Sequence, residues 1–116
     1  MNPQPVIQNI KSKDRRRYRL MQDFIIDLDY TITIYKGFEF DKSSIPRAAQ
    51  LFVSDTEDAN MEAPSLVHDY LYETATGTKA EADLIFKELL ERYTYLPSWK
   101  ITAMYWSVRL FGKGAW

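Results

Sequence analysis

The chain has 116 residues, no cysteine, a single histidine and a formal net charge of −1. Such a length makes one domain around one core, and 46% hydrophobic with 15% aromatic residues argues for a folded chain. The lack of cysteine excludes disulfides, thiolate catalysis and cysteine–zinc centres, and the lone histidine leaves any metal to carboxylates and carbonyls, which favour calcium or magnesium.

Residues 1–16 are expected to form an N-terminal arm, and 17–116 a single α+β domain. Pro3 and Pro5 oppose helix in the extended start of the arm. A basic cluster follows: Lys11, Lys13, Arg15, Arg16, Arg17 and Arg19, broken by Asp14. It reads either as a solvated strand start or as a contact for nucleic acid or anionic lipid. The balanced overall charge and the absence of an RNA-platform pattern make nucleic acid the less expected partner. The chain start has no charged-then-apolar leader pattern, and no apolar run reaches the length of a membrane span.

From Tyr18 to Phe40 the apolar residues alternate. Phe24, Ile26 and Leu28 interleave with Ile25, Asp27 and Asp29, then Tyr30, Ile32 and Ile34 with Thr31, Thr33 and Tyr35. Asp27–Asp29 and Lys36-Gly37 mark turns, and a short strand over 38–40 follows. Asp41, Ser43 and Ser44 offer caps for a short helical turn that Pro46 tolerates. Residues 53–63 are polar and acidic and read as a loop.

Three helices complete the chain. The first is expected from Pro64 or Ser65 to Thr74, followed by a tight connection containing Gly77. The second spans Lys79 to Tyr93, opened by a capping box of Thr78 with Glu81. The third starts near Pro97-Ser98 and ends before Gly112, read as a C-cap glycine. Trp99, Ile101, Met104, Tyr105, Trp106, Val108, Leu110 and Phe111 leave it apolar nearly all round, so it is expected at the centre of the core, the alternative being a subunit or lipid interface. The predicted architecture is α+β: a small antiparallel β-meander over about residues 17–40, packed on a helical hairpin plus a C-terminal aromatic helix.

The chemistry concentrates in His68-Asp69-Tyr70-Leu71-Tyr72 and in Asp83. In an antiparallel hairpin His68 lies roughly 9 Å before the end of its helix and Asp83 roughly 8 Å into the next, so they are level. Tyr72 shares the face of His68, while Asp69 points about 100° away, towards the Asp41–Arg47 segment. Asp83 is placed to orient His68, whose other nitrogen would activate a water. Asp69, with Asp41 or loop carbonyls, would hold a hard cation. The competing reading is a satisfied polar node of His68, Asp83 and Tyr72. An open cleft at His68 would favour catalysis, and burial under aromatic rings the node.

Gly37-Phe38-x-Phe-Asp41-x-x-Ser44-Ile45-Pro46-Arg47, His68-Asp69-x-Leu71-Tyr72, Ala82-Asp83-x-Ile85-Phe86, Val108-Arg109-Leu110-Phe111-Gly112 and Trp116 together resemble a small bacteriophage and prophage domain family of unknown function. That resemblance implies a phage or prophage origin, with the host cytoplasm or the virion as location. Locally, His-Asp-x-x-Tyr followed by Asp-x-x-Phe resembles the catalytic helix pair of calcium-dependent secreted phospholipases. This resemblance implies His68 as base, Asp83 and Tyr72 as its supports and Asp69 as a calcium ligand, although the chain lacks that family's cysteines and glycine-rich calcium loop. Two functions are therefore expected as alternatives. One is an accessory hydrolase of ester bonds, in which Ser44 and Arg47 contribute to binding and calcium is the candidate cofactor. The other is a non-enzymatic virion component or host-factor-binding protein whose partner surface is the third helix with Trp99, Trp106 and Trp116. Host protein, virion component and envelope lipid are the partner classes these readings allow.

Overall fold

The computed structural model describes residues 3–12, 15–41, 44–46, 49, 51 and 58–113. Among the described residues the elements are antiparallel strands in two small sheets and three α-helices, an α+β fold. Arg47 and Ser43 lie outside the described residues. The chain divides into two units, 1–41 and 42–116.

The first unit holds five strands: β1 (Ile7–Ser12), β2 (Arg15–Leu20), β3 (Phe24–Asp27), β4 (Thr31–Ile34) and β5 (Glu39–Phe40). β3 and β4 form the two-stranded sheet, with Phe24 opposite Ile34 and Ile26 opposite Ile32. These four side chains are buried while Ile25, Asp27 and Thr31 face out, which is the period-two alternation realised as a one-sided sheet. The other sheet has the order β1-β2-β5. β1 lies within the segment expected as an arm and pairs with β2 along its whole length. β5 pairs with β2 and does not continue the meander from β4. Gly37 supplies the positive φ of 94° that lets the chain return, and Leu20 exchanges backbone hydrogen bonds with Gly37 and Phe38 at 2.7 and 2.9 Å. Arg17 and Arg19 of the basic cluster lie 3.9 and 3.6 Å from Glu39, exposed pairs of small energetic weight.

In the second unit a 3-10 turn (Asp58–Met61) leads into α1 (Glu62–Thr74). The helix begins earlier than its apolar pattern indicates, because Pro64 occupies its first turn, where no backbone donor is needed. It ends in a left-handed Ala75, with Thr76 N donating to Leu71 O at 3.1 Å. α2 (Lys79–Tyr93) is capped by the Thr78 hydroxyl, which accepts from Glu81 N at 3.1 Å. α3 (Ser98–Phe111) follows.

α2 packs against both α1 and α3. The core joins Phe86 and Leu90 of α2 to Ile101, Met104 and Val108 of α3, with Met61, Leu96, Ile45 and Ala49 around them. α3 is therefore not central: only Ile101, Met104 and Val108 are buried along it, and Trp99, Trp106, Leu110 and Phe111 are exposed. Gly112 ends α3 without a left-handed turn, at φ −66°. Its lack of a side chain serves close approach instead, since a Cβ there would lie 2.5 Å from both the Tyr72 hydroxyl and Val108 O.

Candidate functional site

His68 lies in the middle of α1, on the face turned towards α2. Both helices are antiparallel neighbours, so Asp83, one turn into α2, comes level with it. The His68 Nε2 lies 2.8 Å from Asp83 Oδ1, and both side chains have no exposure to solvent. One turn later on α1, the Tyr72 hydroxyl donates to the same carboxylate oxygen. The other oxygen, Oδ2, accepts from Lys79 Nζ at 2.9 Å and from Arg109 at 3.3 Å. A carboxylate has room for about four donors, and all four places on Asp83 are taken.

Lys79 and Arg109 are absent from the sequence-derived site. Lys79 stands four residues before Asp83 on one helix, a spacing that was legible. Arg109 comes from α3 and had no local signal. Lys79 also bonds the carbonyls of Val108 and Arg109 at 2.9 and 3.0 Å. Its three hydrogens are thereby used, and a cation meets carbonyls at the negative end of α3, where Val108 O also accepts from Gly112 N at 2.9 Å.

The second nitrogen of His68 faces Ser44. Nδ1 lies 3.0 Å from Ser44 Oγ, and Ser44 is buried at 4% exposure. Ser44 Oγ also donates to Asp69 Oδ1, which accepts from Ser44 N at 3.2 Å as well. Ser44 is thus the group packed where the helical phase of Asp69 points. Asp41 ends the first unit, after β5. Two aromatic rings flank the imidazole, Tyr72 at 4.1 Å and Phe86 at 4.8 Å between centroids.

Electrostatics follow from burial and from these bonds. Burial pushes the Asp83 carboxyl up, but the hydrogen bonds from His68, Tyr72 and Lys79 outweigh it and hold the group at about 2. Burial lowers His68, against the opposing pull of Asp83, so the imidazole favours its neutral form. Burial also raises the Tyr72 phenol, with its bond to Asp83 and the Asp83 charge acting the same way. The carboxylate is therefore an acceptor, Nε2 carries the imidazole hydrogen, and Nδ1 presents a lone pair to Ser44. The single hydroxyl hydrogen of Ser44 then has two acceptors in reach, Nδ1 and Asp69.

A calcium ion fits this arrangement poorly. The Asp69 oxygen Oδ1 is engaged by both polar groups of Ser44. Among the described residues no three His, Asp or Glu side chains converge as metal ligands would. Nor, among those residues, is any helix long and apolar enough to cross a membrane.

The comparisons with known proteins bear on the family. A curated relative, the uncharacterized protein y4jT of Sinorhizobium fredii, is 28% identical over 110 residues, covering 93% of this chain but 32% of the relative. The chain thus spans about a third of the length of that relative. No solved structure matches. Residues 18–108 match the family model described as Protein of unknown function (DUF1353), a span that runs from within β2 to within α3 and holds every side chain of the polar centre except Arg109, one residue past its end. The chain belongs to that family.

Proposed function

We propose that this domain acts by binding, as a phage or prophage accessory protein that is a virion component or engages a host factor, and that His68 and Asp83 form its structural node. One observation carries the reading, the closure of the imidazole. His68 has no solvent exposure, rings lie beside it, and its two nitrogens face Asp83 and Ser44. A base that activates water must turn one nitrogen to the water it deprotonates. Ser44 stands in that place and also bonds Asp69, where a cation would otherwise bind. A buried polar network satisfied in this way rigidifies the core around it. The motif resemblance is what supports a phage or prophage origin.

One contact favours a second reading. Asp83, His68 and Ser44 follow each other as carboxylate, imidazole and hydroxyl at 2.8 and 3.0 Å, the connectivity of a nucleophilic serine centre. In that reading Asp83 orients His68, His68 takes the Ser44 proton, and Ser44 attacks an ester carbonyl.

NMR titration of His68 from about pH 8 to about pH 5, together with labelling by a fluorophosphonate, separates the two. The node predicts an imidazole that does not titrate while the protein is folded, and no serine adduct. A titrating imidazole with an adduct on Ser44, lost in Ser44→Ala, would replace it with the hydrolase.

A further inference from the structure

The third helix carries a surface that the polar centre does not use. Trp99, Trp106 and Leu110 are 63%, 54% and 70% exposed. At about 100° per residue they fall within an arc of roughly 40° on one side of α3. Ile101, Met104 and Val108, which are buried, occupy the opposite side. Phe111 adds a fourth exposed apolar side chain at the helix end, and Tyr95 a fully exposed ring just before the helix. Scattered exposed apolar residues are ordinary, but a continuous stripe on one helix marks a contact surface.

Charge says what it contacts. From residue 92 to the end, the charged side chains are Arg92, Lys100, Arg109 and Lys113, and none is acidic. Lys100 and Arg109 lie on opposite flanks of the stripe by helical phase, and Lys113 follows the helix. Arg109 is turned to Asp83 and Arg92 to Glu88. The Lys100 ammonium lies over the Trp99 ring, 5.8 Å from its centroid. The acidic residues of the second unit's three α-helices, among them Glu73, Glu81, Glu88 and Glu91, all lie on α1 and α2.

We infer that α3 docks on an anionic lipid surface, lying in the plane of the interface with Trp99, Trp106 and Leu110 turned into the headgroup and acyl boundary and Lys100 and Lys113 at the phosphates. Tryptophan side chains prefer that boundary, and basic residues on a helix that carries no acidic side chain suit anionic headgroups. A second copy of the chain fits less well, because a two-fold contact sets this face against itself and the charges on α3 and at Lys113 are all basic, so like charges would be brought together. The inference rests on the reading of the domain as a binding module and names its partner.

The test is co-sedimentation of the full chain with phosphatidylcholine vesicles, with and without about one-third phosphatidylglycerol, with tryptophan emission recorded alongside. Wild type is expected to bind the anionic vesicles with blue-shifted emission and to bind the neutral ones weakly. Trp106→Ser combined with Leu110→Ser should reduce anionic binding at least about tenfold, and Lys100→Glu with Lys113→Glu should abolish the preference for anionic lipid. Circular dichroism of these surface variants should match wild type.

No binding to either vesicle would overturn the inference, as would equal binding by wild type and the apolar variant. A wild-type dimer dissolved by Trp106→Ser and Leu110→Ser would assign the face to a second copy, and binding confined to an acidic protein would assign it to that partner. The His68 titration fails or succeeds independently. A catalytically active Ser44 would end the node reading whatever the vesicles show, and silent vesicles beside an untitrated His68 would leave the node standing and remove the membrane.

Discussion

Ser44 Oγ lies 3.0 Å from His68 Nδ1, and through it the polar centre becomes a file of four side chains, Asp83, His68, Ser44 and Asp69. The file has three links, and a neutral imidazole with one hydroxyl supplies two hydrogens for them. The third link is covered in part by Ser44 N, which donates to Asp69. Replacing Ser44 by Ala removes the hydroxyl from both neighbours and leaves buried acceptors short of a donor. Urea unfolding should show a loss of about 1–3 kcal/mol. A variant as stable as wild type would mean that Ser44 contributes nothing to the node.

Asp83 gathers His68, Tyr72, Lys79 and Arg109 onto one carboxylate. Asp83→Asn removes the charge that two cations and an imidazole were arranged to meet. Breaking one side of a buried ion cluster costs about 3–5 kcal/mol. Lys79→Met should cost less, about 1–3 kcal/mol, because Arg109 stays on Oδ2 while the carbonyls of Val108 and Arg109 lose a charged donor. If denaturation midpoints rank Lys79→Met as the worse of the two, the carboxylate is not the hub.

Acid should unfold the domain through these same groups. The folded Asp83 value of about 2 lies below the ordinary carboxyl value of 3.8, so the unfolded chain binds the proton more readily. Its contribution is fully present above about pH 4 and is lost as pH falls towards about 2, a change of about 2 kcal/mol by linkage. His68 acts with the same sign at higher pH. Its folded value lies below 6.5, so protonation favours the unfolded chain and stability declines as pH drops beneath 6.5. Stability measured against pH should therefore rise from acid to neutral. His68→Asn should flatten the upper part of that rise and Asp83→Asn the lower.

Much of this geometry was legible from local spacing. The four-residue interval of His68 and Tyr72, the level crossing of His68 and Asp83 in a hairpin, and the phase of Asp69 are all consequences of helical pitch, and the Thr78–Glu81 box placed α2. What was not legible depends on partners distant in sequence. Arg109 reaches Asp83 across 26 residues. β5 is a two-residue strand whose neighbour is set by β2, not by its own alternation. The start of α1 was hidden because its first turn is polar and holds a proline. The position of α3 does not follow from its sequence, because apolar residues all round a helix do not say which side finds a partner, and only the side of Ile101, Met104 and Val108 is buried.

Gly112 offers a check on how tightly α3 closes over the centre. A Cβ at that position would stand 2.5 Å from the Tyr72 hydroxyl, itself bonded to Asp83, and 2.5 Å from Val108 O, which Lys79 binds. Gly112→Ala should therefore displace the backbone at residue 112, opening the α3 C-cap at Val108 O and the contact with Tyr72, at a cost of about 1–3 kcal/mol. Its effect should overlap with that of Lys79→Met, so that the double variant loses less than the sum of the singles. Strict additivity in a double-mutant cycle would show that the helix end and the Asp83 carboxylate are not coupled.

Ala75 gives a prediction of opposite sign. It closes α1 in a left-handed conformation, at φ 51° and ψ 39°, while donating to Tyr72 O. An L side chain there costs about 1–2 kcal/mol relative to glycine, partly offset by glycine's greater freedom in the unfolded chain. Ala75→Gly should stabilise the protein by about 0.5–1 kcal/mol. The residue lies three positions beyond Tyr72, outside the polar file, so the His68 resonances should stay where they are in wild type. A thermal midpoint that falls on this substitution would mean that the Ala75 methyl makes a contact worth more than the strain of its backbone.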